Sequence, residues 1–134
     1  AFALGAEAVQ MGSRFIATPE ASAHDAFKEA VLRAGEGDTL LTLKELTPVR
    51  LLRNPFFSEV MDAYANGADK EKLAELLGRG RAKKGMFLGD LEAGELEVGQ
   101  VSAMMDVIQP AGAIVKEVMA EFHRVCERLG KNSH

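Results

Sequence analysis

An apolar stripe near the end of the chain narrows the fold more than any other feature. Ile114, Val115, Val118, Met119, Phe122, Val125, Cys126 and Leu129 recur at helical spacing, while Lys116, Glu117, Glu121, Arg124 and Glu127 take the other faces. Pro110 stands where helices begin, and Gly130 follows the stripe. The pattern predicts an amphipathic helix over 110–129 that lies on a larger body. The chain has 134 residues, 47% of them hydrophobic and 27% charged, which fits one folded domain with one core.

Upstream, glycine and proline mark the divisions. Ala1, Phe2, Ala3 and Leu4 are an apolar scrap ending at Gly5, as a helix ends at a glycine cap. The chain therefore opens, without Met, inside what reads as a helix, and is expected to be the C-terminal part of a longer protein. Residues 8–11 read as a short buried strand closed by Gly12 and Ser13. Pro19 and Ser22 are helix-start signals, with Asp25 three residues beyond Ser22, and Ala26, Phe27, Ala30, Val31 and Ala34 share one face before Gly35. Residues 39–43 read as extended, 58–65 and 70–77 as short helices, 78–85 as a basic flexible stretch and 89–99 as an acidic glycine-punctuated loop. Residues 101–108 read as helical. Three parts follow: a strand–turn–helix unit over 1–35, an irregular lid-like region over 36–100 and C-terminal helices over 101–130.

Charge and cysteine content exclude several function classes. Sixteen basic against twenty acidic side chains leave a net charge of −4, which argues against nucleic acid as the main partner. No apolar run reaches the roughly 18–20 residues that span a bilayer, and no signal peptide is recognisable. The single cysteine, Cys126, excludes an internal disulfide and any multi-cysteine metal site, and fits a cytoplasmic setting. Cys126 lies on the apolar stripe and is expected to be a buried, inert thiol. No histidine or carboxylate spacing supplies a metal set.

The candidate residues for chemistry are Gln10, Met11, Gly12 and Ser13, which read either as a bare structural turn after a strand or as an anion site. A strand ending in a small turn leaves main-chain N–H groups pointing outward; glycine lets an anion approach them, and the serine hydroxyl adds a donor. In parallel α/β folds this edge is where phosphates bind. Arg14 follows, either to neutralise a bound phosphate or to pair with an acid such as Glu20. His24 reads as a solvent-facing capping residue and His123 as packed or solvated. Arg79, Arg81, Lys83 and Lys84 form the basic cluster, either a solvated loop or a contact for an acidic partner.

The run Phe2-Ala3-Leu4-Gly5-Ala6-Glu7-Ala8-Val9-Gln10-Met11-Gly12-Ser13-Arg14-Phe15, with Thr18-Pro19-Glu20-Ala21-Ser22-Ala23-His24 and Phe27-Lys28-Glu29 behind it, resembles the flavin-dependent nitronate monooxygenases, formerly 2-nitropropane dioxygenases. These share a fold with the FMN-containing enoyl-acyl-carrier-protein reductases. The stretch over 94–100 and the Ile108-Gln109-Pro110-Ala111 turn are similar to the reductase branch. The resemblance implies an α/β fold, the C-terminal part of an FMN-binding (β/α)8 TIM barrel, contributing the eighth strand and helix plus a helical extension, so that this segment is itself mostly α-helical. It implies that Gln10 to Ser13 hold the FMN phosphate after the eighth strand, with serine where the family usually has threonine.

A full barrel needs roughly 250 residues. The other seven strands and the family's catalytic histidine are expected upstream, so no catalytic residue is assigned and the chain alone is expected not to hold flavin. The parent would oxidise alkyl nitronates, or reduce enoyl thioesters with NAD(P)H, acting on a small-molecule or acyl-carrier-linked substrate. A reading of another class is a non-catalytic helical binding module that buries its apolar stripe by forming a homo-oligomer.

Overall fold

A computed structural model of the chain describes residues 1–131. A 3₁₀ turn over Phe2–Leu4 closes at Gly5, whose φ of 90° is the left-handed conformation expected of a glycine cap. Beyond it come α1 (Ser13–Ile16), α2 (Asp25–Arg33), β1 (Thr39–Thr42), β2 (Val49–Leu52), α3 (Pro55–Ala65) and α4 (Lys70–Leu77). A π turn over Lys83–Phe87, a 3₁₀ turn over Gln100–Met104 and α5 (Ala111–Lys131) complete the order.

The elements start where local chemistry starts them. His24 caps α2 through its ring Nδ1, which accepts the Ala26 N–H at 3.1 Å, so the cap lies two residues beyond the Ser22 signal. Asn54 caps α3 with Pro55 in the first turn, and its Oδ1 accepts the Phe57 N–H at 2.8 Å. That pair begins a helix three residues ahead of the expected 58–65. Asp69 caps α4 in the same way, and α4 has its expected bounds.

β1 and β2 pair antiparallel, Thr39 opposite Leu52 and Thr42 opposite Val49. Residues 96–98 extend the pairing on the other edge of β2: the Leu52 N–H donates to the Leu96 carbonyl at 2.9 Å and the Val98 N–H to the Arg50 carbonyl at 3.1 Å. Neighbouring residues of a strand face opposite ways, and this divides the core. Leu52 packs with Ala17, Phe27, Val31, Leu96, Val98 and Met105, whereas Leu51 packs with Leu43, Phe56, Phe57, Val60 and Leu73. Burying each large side chain contributes about 1.5–3 kcal/mol. Leu43 is fully buried although its φ of 53° is left-handed, so packing there outweighs a backbone cost of about 1–2 kcal/mol.

The 78–99 stretch is more ordered than its glycines suggest. Arg81 Nε donates to the carbonyls of Leu76 and Leu77 at 3.0 and 2.9 Å, closing the C-terminal end of α4, and Nη1 donates to the Ala93 carbonyl at 2.8 Å. Its guanidinium lies 4.3 Å from the centroid of the Phe56 ring, a cation–π contact. Lys84 pairs with Asp90 at 3.1 Å. The basic cluster is therefore not a solvated loop throughout: two of its members are structural. Gly85 and Gly94 allow the two passes of this segment to touch, since a Cβ on Gly85 would meet the Glu95 carbonyl oxygen at 2.6 Å and one on Gly94 would collide with Gly85 Cα.

Three expectations are corrected. Residues 8–11 form no strand and are exposed; a strand exists only through a neighbour's hydrogen bonds, and β1 and β2 pair with each other instead. Residues 101–108 form one 3₁₀ turn and then irregular chain, with Met105 tucked into the first cluster. The third concerns α5, which forms as expected but continues through Gly130, and whose stripe lies largely open, with Ile114 buried and Val118 and Phe122 half-buried. Val115, Met119 and Leu129 are 50%, 45% and 57% exposed, and Cys126 is an exposed thiol rather than a buried one.

Candidate functional site

Gln10, Met11 and Gly12 lie on an exposed stretch leading into α1, and Ser13 is its first residue, half-buried. Gly12 has ordinary dihedrals, φ −105° and ψ −67°, and a Cβ built there would meet nothing within 4 Å. Glycine is thus not demanded by strain; the space beside it is open to a ligand. Two hydrogen bonds organise the turn: the Phe15 N–H donates to the Gly12 carbonyl at 3.0 Å, and the Gly99 N–H donates to Ser13 Oγ at 2.9 Å.

Arg14 does not pair with Glu20. The Glu20 carboxylate instead accepts the Ala111 N–H, at 3.1 Å from each oxygen, and so anchors the start of α5. Among the described residues Arg14 Nη1 is buried and has no hydrogen-bond partner. A buried donor without an acceptor is costly, and this one belongs to the residue after Ser13. An open glycine turn with a serine hydroxyl beside it suits an oxyanion.

Among the described residues His24 is a cap, as expected, and His123, expected to be packed or solvated, is exposed and in ring contact with its neighbour. His24 is exposed, and its ring lies so close to Gly89, φ 78°, that a Cβ there would collide with it. His123 packs edge-on to Phe122 at 5.5 Å between ring centroids, and Phe122 meets Phe2 at 4.8 Å. Among the described residues no group of three or more His, Cys, Asp or Glu is placed to hold a metal ion, and no helix is long and apolar enough to cross a membrane.

Two residues escaped the sequence reading. Gly99 reaches Ser13 across 86 residues, a separation that leaves no local signal. Glu95 is only 6% exposed, and its carboxyl is pushed up to about 6 by burial and by the nearby Glu97 charge, with Arg81 opposing. Its place in an acidic, glycine-rich run made it look solvated.

The nitronate monooxygenase family model matches residues 1–121. The chain is 26% identical over 124 residues to a probable nitronate monooxygenase of Staphylococcus aureus strain MSSA476, covering 92% of this chain and 35% of that protein. Strain JH9 of the same organism has one at 25% identity with the same coverage. Among solved structures, FabK from Thermotoga maritima superposes with a TM-score of 0.86 and 37% identity, over 97% of this chain and 41% of that one. Its M276A mutant gives 0.81 and 36%, over 97% and 39%. The chain thus spans between about a third and two fifths of the proteins it matches. Its fold is that of part of a TIM barrel protein, largely helical, with one small sheet. With nine tenths of its length inside the family model and its fold inside FabK, the chain belongs to the nitronate monooxygenase family.

Proposed function

We propose that the chain is part of an FMN-dependent oxidoreductase and supplies one wall of the site for the FMN phosphate. The observation carrying this reading is the turn at Gly12, where open space beside the glycine adjoins a serine whose hydroxyl is fixed by the Gly99 N–H, in a chain of this family. The main-chain N–H groups at Gly12 and Ser13 and the Ser13 hydroxyl donate to phosphate oxygens, and Arg14 balances their charge. When bound, the flavin supplies the redox chemistry. Gln10 and Met11 line the approach.

Of the two chemistries implied by the resemblance, we favour reduction of an enoyl thioester with NAD(P)H over oxidation of alkyl nitronates. Identity to FabK, which we take to represent the reductase branch, is 37%, against 26% to the staphylococcal protein. The substrate is then carried on an acyl-carrier protein in the cytoplasm. Arg79 and Lys83, exposed beside the structural Arg81, are the cations left to meet an acidic carrier. The test is made on the full-length protein. An oxidised-flavin absorbance spectrum, with NAD(P)H consumed on adding an enoyl thioester and no oxygen uptake with an alkyl nitronate, supports the reductase. The opposite pattern assigns the oxygenase, and a colourless protein that takes up no FMN removes both.

The open stripe of α5 favours a second reading, self-association through that face. Sedimentation of this chain at rising concentration decides it: a mass that stays monomeric rejects that reading.

A further inference from the structure

We infer that the main-chain N–H of Gly99 is a positioning group for the phosphate turn, holding the Ser13 hydroxyl so that its proton is offered outward to an oxyanion. The inference rests on the assignment of residues 10–13 to phosphate made above. A hydroxyl has one proton to give and two lone pairs to receive with. Gly99 occupies one lone pair at 2.9 Å, which fixes the oxygen and turns its proton away from residue 99. A hydroxyl that already accepts is polarised into a better donor, and a phosphate oxygen can only accept.

Gly99 is held from both sides. The preceding Val98 N–H is bonded to the Arg50 carbonyl of β2 at 3.1 Å, and its own carbonyl accepts the Ser102 N–H at 3.0 Å. The donor is therefore anchored to the central strand rather than carried on a free loop. Glycine at 99 is a matter of space. With φ −70° and ψ 156°, any residue could adopt that backbone, but a Cβ would stand 2.7 Å from Ser13 Oγ. A methyl there pushes on the hydroxyl and leaves the chain path alone. Arg14, the next residue in the chain after Ser13, has a buried Nη1 with no hydrogen-bond partner among the described residues.

Binding of FMN and of riboflavin, which lacks the phosphate, to the full-length protein separates the outcomes, using Gly99→Ala, Ser13→Ala, the double variant and thermal melts of each without ligand. Each single variant is expected to weaken FMN about tenfold, the effect of losing one hydrogen bond to a charged group, and to leave riboflavin unchanged. The double variant is expected to bind FMN no worse than Ser13→Ala, because Gly99 acts through the hydroxyl. Normal FMN affinity in Gly99→Ala with weakened affinity in Ser13→Ala overturns the positioning role and leaves the phosphate turn standing. Unchanged affinity in Ser13→Ala overturns the phosphate turn itself. Equal losses for FMN and riboflavin, or additive losses in the double variant, show a structural role only and overturn the inference. If Gly99→Ala does not melt cooperatively, the double variant decides, since it has no Oγ to collide with: binding like Ser13→Ala supports the inference, and failure to fold overturns it.

Discussion

The two faces of β2 and the two ends of the chain carry similar apolar patterns, yet their fates differ. Around β2, Phe27, Phe56, Leu51, Leu96 and Leu73 are wholly buried because α2, α3, α4 and the 96–98 strip close over them. At the ends, Leu4, Val9, Met11, Val115, Met119 and Val125 stay open, with Phe2 on Phe122 as the aromatic contact between them. Periodicity states which side chains want cover; it does not state what covers them. The chain spans at most about two fifths of the matched proteins. The open ends are the places where such a chain, taken by itself, runs short of neighbours.

The largest effect that sharpens this contrast lies in the buried half. Phe56→Ala empties a side chain with no exposed surface and removes the ring under Arg81, so a loss of about 3–5 kcal/mol is expected in chemical denaturation. A loss below 1 kcal/mol would show that the second cluster is not a true core.

Next in size is Glu95. Its carboxyl is raised from 4.5 to about 6, so the folded chain holds that proton more tightly than the unfolded one. This group's contribution to stability is then fully present below pH 4.5 and is lost as pH rises through 6, about 2 kcal/mol in all. Glu95→Gln should flatten that part of the profile; an unchanged slope between pH 4.5 and 7 would place the carboxylate in water.

The smallest effect belongs to the open face. Val115→Ser with Met119→Ser on α5 should change the stability of this chain by less than about 0.5 kcal/mol, since both are already wet. In the full-length protein the same pair should cost several times more if the stripe is covered there. Equal costs in both would break the comparison.

How much of this was legible depends on where each signal resided. α4 was readable to its ends because its short helical stretch runs directly up to Gly78. The barrel-family fold was readable because a contiguous run carries the resemblance. β2 was not, since four residues with apolar groups facing both ways show no alternation. The absent strand at 8–11 had the right pattern and no edge to join. Gly99, the partner of Ser13, was invisible because contacts across 86 residues leave no mark on local sequence.

The central claim is that the turn around Gly12 receives the phosphate of a flavin nucleotide. Fluorescence titration of FMN into the full-length protein and its Gly12→Asp variant tests it most directly. Because the space at Gly12 is open, the aspartate fits without strain and acts through its charge. The account predicts at least about tenfold weaker FMN binding with an unchanged melting temperature of the flavin-free protein. Equal affinity in the two proteins would contradict it.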